Sequence, residues 1–290
     1  MAKIVIFEKW AVERTKWSSL IAIGDGLKAK EIKFDYYLPN CFRPERGEVP
    51  EADIIFSWGF NHFEIHEYYK GKAKIILVDR GFLRRDLDYR YIVRSNRLPQ
   101  NCSPDRYKML GISQVKSPGP KSSHVLICTQ NHHKEWYQKA ISNIHANIKP
   151  GRRIKVREFN SDVPFEKDLK GAHALVSYNS TCLYQAISQG IPVFCDPSCL
   201  ASEVAETDLT KIETPKIVDT TQFLNNLAYS QYTLDEMRRG DFVDHLLPEA
   251  KIMSESTAKP STGNTLAQAI NEQIASKPQA QEAVKLPIGK

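Results

Sequence analysis

Five polar side chains in a row, Ser177-Tyr178-Asn179-Ser180-Thr181, separate an apolar run at 174–176 from a short amphipathic segment with Leu183, Ala186 and Ile187 on one face. A loop of this kind, leaving the carboxyl end of a strand and entering a helix, is suited to an anion. The unpaired amides at a helix start carry partial positive charge, and the hydroxyls of Ser177, Ser180 and Thr181 add donors. Asn179 or Ser180 suits the helix N-cap, Gly190 the left-handed position after its end, and Pro192 prevents continuation. The expected chemistry is retention of a phosphate or diphosphate. The plainer alternative is a well-capped helix with no ligand.

Other residues are placed to assist. Arg80, in Asp79-Arg80-Gly81, closes a strand-like run and can pair bidentately with a phosphate, or form a surface ion pair at a turn. Gln130-Asn131-His132-His133 follows another such run. Adjacent histidines diverge on a helix and make a poor metal pair. One of them, taken as His132, is a candidate to touch substrate or act as a base near neutral pH. Gln130 stands at the mouth of the same expected site. Arg152, Arg153, Lys155 and Arg157 lie along one strand-like segment with Ile154 and Val156 between them. Arg157, nearest the carboxyl end, is the candidate for stabilising charge. Asp105-Arg106 after Pro104 reads as a helix N-cap, with Met109-Leu110 as the apolar face of that helix. At 231–240, Leu234 and Met237 mark an interdomain packing helix with an Asp235–Arg239 pair on its outside.

The elements that must hold these residues are legible in the apolar runs. Strands are expected at 3–7, 32–37, 52–56 and 74–78, with helices at 17–28 and 61–69. Residues 82–121 break that rhythm, as a functional loop or connector does. A second series follows: strands at 124–129, 153–159, 174–177 and 192–195, and helices at 135–148, 164–172, 181–189, 221–228 and 233–239. Repeated β-α-β alternation implies parallel sheets with helices on both faces. The expected fold is α/β, with two Rossmann-like domains, 1–122 and 123–250, facing a cleft and joined through 117–123. Residues 251–290 turn to Ser, Thr, Ala, Lys, Gln and Pro and are expected to be a disordered tail, with one helix at 266–275.

The 290 residues are 41% hydrophobic and 26% charged, and no apolar stretch reaches the roughly 20 residues that span a bilayer. The six cysteines contain no CxxC pair, so a reducing cytoplasm and no structural zinc are expected. The net charge is +6, but residues 70–121 hold thirteen Lys/Arg against four Asp. That stretch is either a solvated basic face or a groove for phosphate, nucleotide or nucleic acid.

The pattern S-x-N-S-T-x-L-x-x-A-I-x-x-G-I-P-V-F over 177–194 resembles the nucleotide-sugar half of GT-B glycosyltransferases. "LVDRGFLRRD" (77–86), "SPDRYKMLGI" (103–112), "HVLICTQNHH" (124–133) and "LAYSQYTLDEMRRGDF" (227–242) look like segments of a GT-B-like protein group of tailed phages, over roughly residues 50–245. The resemblance implies that the Ser/Thr loop and helix start hold a donor diphosphate. It also implies that the side chain at 185, acidic in that family and Gln185 here, faces the ribose. Domain 1–122 would be the acceptor side and 123–250 the nucleotide-sugar side. The implied activity is metal-independent transfer of a sugar, with the nucleotide-sugar as substrate and no separate cofactor. A hydroxymethylated DNA base or a surface glycan would serve as acceptor, and DNA would then be a partner. The reading from another class is a non-catalytic protein that binds nucleotide or nucleic acid.

Overall fold

The computed structural model describes residues 2–7, 14–38, 41–59, 63–83, 90–94, 98–112 and 123–248. The expected tail at 251–290, its helix at 266–275 and nearly all of the linker at 117–123 lie outside the described residues. Those described fall in one compact unit.

The first half runs β1 (Ile4–Phe7), α1 (Arg14–Ala29), β2 (Asp35–Tyr37), β3 (Ile54–Trp58), α2 (Phe63–Tyr69), β4 (Lys74–Arg80), β5 (Arg90–Arg94) and α3 (Asp105–Met109). The second half runs β6 (His124–Cys128), α4 (Lys134–Asn147), β7 (Arg153–Arg157), α5 (Phe165–Leu169), β8 (Ala172–Val176), α6 (Cys182–Ser188), β9 (Val193–Phe194) and α7 (Thr221–Ala228). The described chain closes with β10 (Gln231–Thr233), α8 (Leu234–Arg239) and α9 (Val243–Leu246).

Two sheets result. One has the order β10-β5-β4-β3-β1-β2, the other β7-β6-β8-β9. The strands of the second sheet are parallel throughout. In the first, β2, β1, β3 and β4 are parallel, whereas β5 and β10 add antiparallel. Side chains alternate across a strand, so a sheet covered on both faces needs apolar residues at every position. Both sheets show this division. Ile4, Ile6, Ile54 and Phe56 share a core with Leu20, Ile23 and Leu27 of α1, while Val5, Phe7 and Ile55 pack with Ile65 and Tyr69 of α2. Val125 and Ile127 meet Tyr137 and Ile144 of α4, while Leu126 and Cys128 meet Leu183 and Ile187 of α6 and Leu224 of α7.

The structure departs from the sequence reading in three places. The 82–121 stretch contains strand β5 and helix α3, and its Phe82, Leu83, Leu98, Tyr107 and Leu110 are buried with α6 and α7. Asp105 is the first residue of α3 and not its N-cap, which is Pro104. The Asp105 carboxylate accepts from the Tyr229 hydroxyl instead, at 2.8 Å. Met109 is 75% exposed, so the buried residues of this segment are Tyr107 and Leu110, without Met109. Finally, the segment from 231 onward returns to the first sheet. β10 pairs with β5, and Met237, Phe242 and Val243 join the core beneath α1. The ion pairs outside α8 are Asp235–Arg238 and Arg239–Asp241, not Asp235–Arg239.

Arg106 fastens this return. Its guanidinium donates to the Ala228 carbonyl at 3.3 Å and to Glu236 at 3.0 Å, bonds the Gln231 carbonyl, and lies 4.6 Å from the Tyr232 ring centroid. Nearby, the Leu83 amide donates to Gln231 Oε1 at 2.7 Å, and Phe82 stacks on Tyr184 of α6 with centroids 4.0 Å apart.

Candidate functional site

Because β6 and β8 are parallel neighbours, the loops leaving their carboxyl ends, 129–133 and 177–181, lie side by side. Ligands of open α/β sheets sit beyond that end. A tyrosine hydroxyl joins the two loops. Tyr137 projects from the first turn of α4 and is 4% exposed. Its hydroxyl donates to Gln130 Oε1 at 3.1 Å, receives the Tyr178 amide at 3.2 Å, and lies 3.1 Å from Ser177 Oγ. Gln130 Oε1 also receives the Asn179 amide at 3.4 Å. Ser177 donates to the Cys128 carbonyl at 2.7 Å. One carboxamide oxygen and one phenol thus hold both loops, and each polar group buried there has a partner, as burial requires. Burial pushes the Tyr137 hydroxyl up from its usual pKa, against the opposing pull of Ser177 and the Tyr178 amide, so it remains a neutral donor.

The aromatic wall of this site does not emerge from the sequence. His133, the residue before α4, adopts φ 64° and ψ 34°. That left-handed conformation is unusual for a residue with a Cβ, although His is among the residues enriched there, and it costs on the order of 1 kcal/mol or more. It lays the His133 ring on Tyr178, with centroids 3.7 Å apart and planes 14° apart. Trp136 meets the same Tyr178 ring edge-on at 5.5 Å. His133, Tyr137 and Tyr178 are therefore part of the site. The only signal in the sequence is their position beside the two polar loops.

The sequence-selected residues fall into distinct groups. Gln130, Ser177, Asn179, Ser180 and Thr181 are brought together. Asn179 is exposed and Ser180 and Thr181 are half-buried, whereas Ser177 is fully buried and acts inside the scaffold. The N-cap position of α6 is Thr181, not Asn179 or Ser180, and it makes no side-chain cap bond. Ser180 Oγ receives the Cys182 amide at 3.4 Å. Gly190 has the expected positive φ, 69°. Gln185 is half-exposed on α6. His132 is exposed one residue before His133, the two rings 6.5 Å apart. Arg80 ends β4 in register with Tyr91, but its side chain lies outside the described residues.

Arg157 is turned away from the loops. It is 16% exposed and forms an ion pair with Asp168, which also pairs with Lys155 at 2.7 Å. It donates to the Val163 carbonyl at 2.7 Å as well. Burial raises the Asp168 pKa, but the hydrogen bonds and charges of Lys155 and Arg157 outweigh it and hold the carboxyl below the usual range. Asp168 therefore neutralises the charge that Arg157 would otherwise offer to a ligand.

The basic stretch at 70–121 is also partly committed. Arg106 is the internal fastener, Lys70 pairs with Glu67, and Lys72 sits 3.7 Å over the Tyr68 ring. A groove of about 380 Å³ lies at the other end of α6, lined by Ile187, Gly190, Ile191, Val193, Val204 and Ile217 among others. It contains none of the candidate loop residues Gln130, His132, His133 and 177–181. Among the described residues no group of three or more His, Cys, Asp or Glu is placed to hold a metal ion, and no helix is long and apolar enough to cross a membrane.

No protein-family model matches the chain, and no curated protein matches it. Solved structures do. A Thermosulfurimonas dismutans KpsC, beta Kdo 2,7 transferase, is 12% identical with a TM-score of 0.47, over 83% of this chain and 98% of that one. A beta Kdo 2,4 transferase KpsC of the same organism is 12% identical with a TM-score of 0.45, over 80% of this chain and 92% of that one. A putative UDP-N-acetylglucosamine 2-epimerase from Listeria monocytogenes is 12% identical with a TM-score of 0.29, over 91% and 100%. By description two of these are transferases and the third is a putative epimerase.

Proposed function

We propose that the chain is a glycosyltransferase that holds the diphosphate of a nucleotide-sugar against residues 178–181. The observation that carries this reading is the double attachment of Gln130 Oε1, to the Tyr137 hydroxyl and to the Asn179 amide. It ties the amide of the exposed Asn179 to the loop that carries His132 and His133. Sugar transfer requires stabilisation of a departing diphosphate, and donors that need no reorganisation supply it best. On this reading Asn179, Ser180 and Thr181 contact the diphosphate, Gln185 the ribose, and His132 or His133 the reacting groups. Arg80 supplies positive charge from the first sheet. Arg157 supports loop 129–133 through its backbone carbonyl, which accepts from the Thr129 amide at 2.9 Å.

The test is direct. Uridine diphosphate titrated calorimetrically into the full chain is expected to bind. Ser180→Ala is expected to weaken binding roughly ten- to a hundredfold, the loss of a hydrogen bond to a charged group. Mass spectrometry of incubations with nucleotide-sugars would register nucleoside diphosphate release. Binding without release supports the non-catalytic alternative. If no nucleoside diphosphate binds and Ser180→Ala alters only the melting curve, the loop is a helix start inside an ordinary core and the reading is wrong.

A further inference from the structure

The six cysteines are scattered along the sequence, but the fold brings four of them together in two pairs. The Cys128 and Cys182 thiols hydrogen-bond each other, and so do those of Cys195 and Cys199. All six are free thiols. The first pair stands at the base of the candidate loops. Cys128 is the last residue of β6 and Cys182 the first of α6. Each therefore adjoins one loop at its root, Cys128 just before Thr129 and Gln130, Cys182 just after Thr181. Two serines of the second loop hold both. Ser177 Oγ donates to the Cys128 carbonyl at 2.7 Å, and Ser180 Oγ receives the Cys182 amide at 3.4 Å. Both cysteines are buried, in one cluster with Leu126 and Leu183.

The two sulfurs are not equivalent. The hydrogen bond to Cys182, together with burial, pushes the Cys128 thiol up. Burial also raises Cys182, but hydrogen bonds from Cys128, Ser180 and Ser177 outweigh it and bring that thiol below its usual value. Cys182 is the sulfur that ionises first, and Cys128 the neighbour that keeps its proton. A buried cysteine is inert where nothing stabilises its thiolate; here hydroxyl donors do, and a second thiol lies in contact. We propose that Cys128 and Cys182 form a redox couple that closes to a disulfide under a hydroperoxide and ties the root of loop 129–133 covalently to the root of loop 177–181. The Cys182 thiolate attacks one peroxide oxygen and the O–O bond breaks. The other oxygen leaves as water with the proton that Cys182 gave up, and Cys182 becomes a sulfenic acid. The Cys128 sulfur then attacks the sulfenic sulfur, the S–O bond breaks, and the hydroxide leaves as water with the Cys128 proton. The two thiols lose two electrons and the peroxide gains them. This step does not depend on the transferase reading.

Peptide mapping of the folded full chain after treatment with hydrogen peroxide tests this, with the remaining thiols alkylated by N-ethylmaleimide on unfolding. Cys41, an exposed thiol, reports the oxidant dose. A crosslinked Cys128–Cys182 peptide, lighter by two hydrogens than its reduced parts, should appear and should vanish with dithiothreitol. Cys182→Ala should abolish it and Cys195→Ala should not. The parent's own map decides the matter if a variant fails to fold. The bond closes a loop of roughly 55 residues, so the oxidised chain should melt about 5–10 °C above the reduced one. The inference is overturned if Cys41 is oxidised while Cys128 and Cys182 are still fully alkylated, if the only internal bond is Cys195–Cys199, or if the crosslinked chain melts no higher than the reduced one. A uridine diphosphate titration of the reduced chain reports the nucleotide reading separately, and its failure would leave the redox couple standing.

Discussion

Tyr137→Phe removes one oxygen and leaves the ring, so it isolates the hydroxyl that joins the two loops. The Tyr178 amide, half-buried, would lose its acceptor at 3.2 Å, and Gln130 Oε1 would lose its 3.1 Å donor, keeping only the longer contact to Asn179. Leaving a buried polar group unpaired costs about 1–3 kcal/mol. One amide is orphaned and one carboxamide weakened, so the expected loss of stability is about 2 kcal/mol. With a urea slope on the order of 3 kcal/mol/M for a protein of this size, the midpoint should fall by roughly 0.7 M at unchanged slope.

A second readout separates scaffold from site. Without the phenol, a ligand must itself order the Gln130 side chain and the 178–179 backbone. Immobilising a side chain costs roughly 0.5–1.5 kcal/mol, so uridine diphosphate affinity should drop about two- to thirteenfold. The phenyl ring left by the substitution would keep its edge contact with Trp136, 5.1 Å between centroids in the parent, so gross repacking is not expected. An unchanged urea midpoint would refute the claim that this hydroxyl holds the loops. A fall in stability with unchanged nucleotide affinity would show that the network is scaffold alone.

Further outcomes follow from the same packing. A Cβ at Gly26 would sit 1.9 Å from the Met237 carbonyl oxygen and 2.9 Å from the Gly240 Cα, both backbone, so Gly26→Ala should destabilise by about 2–4 kcal/mol in urea despite its better helix propensity. Gly24→Ala would meet only the Tyr36 and Phe34 side chains and should cost distinctly less; equal losses would contradict the close approach of α1 and α8. Arg106→Ala should cost about 3 kcal/mol, by stranding Glu236 and two carbonyls, and Arg106→Lys should recover only part of it. For Asp168 the folded pKa is depressed, so its contribution is present above the unfolded value of about 3.9 and lost as pH falls through the folded value. Asp168→Asn should therefore be less stable than the parent at pH 7, and the difference should shrink below about pH 4; a constant difference across that range would argue against the ion pair.

What the sequence discloses follows the range of the forces involved. Strands buried on both faces must be apolar at consecutive positions, so β1, β3, β4, β6 and β8 are visible as runs. The loops at their carboxyl ends are visible for the same reason, and residues 130 and 177–181 can be selected as neighbours from the sequence alone. β5 and β10 are three to five residues long, and they are strands only because they pair with each other and with β4, β10 reaching back across more than a hundred residues of chain. No local pattern records such a pairing. Arg157 shows the same limit in a single side chain. Alternation along β7 places it at the carboxyl end of the sheet, and its charge suggests a ligand. Its partner is Asp168, on α5, where the Phe165–Leu169 helix returns the chain beside the strand. Tyr137 is hidden for the opposite reason. Its ring fits the apolar stripe of α4, so a reading by hydrophobic period has no place for the hydroxyl at its tip. Periodicity assigns a side chain to a face, but the chemistry of a site depends on which polar atoms reach the end of that face. For this chain that choice is made by one phenol and one carboxamide, and the Tyr137→Phe experiment acts on the bond between them.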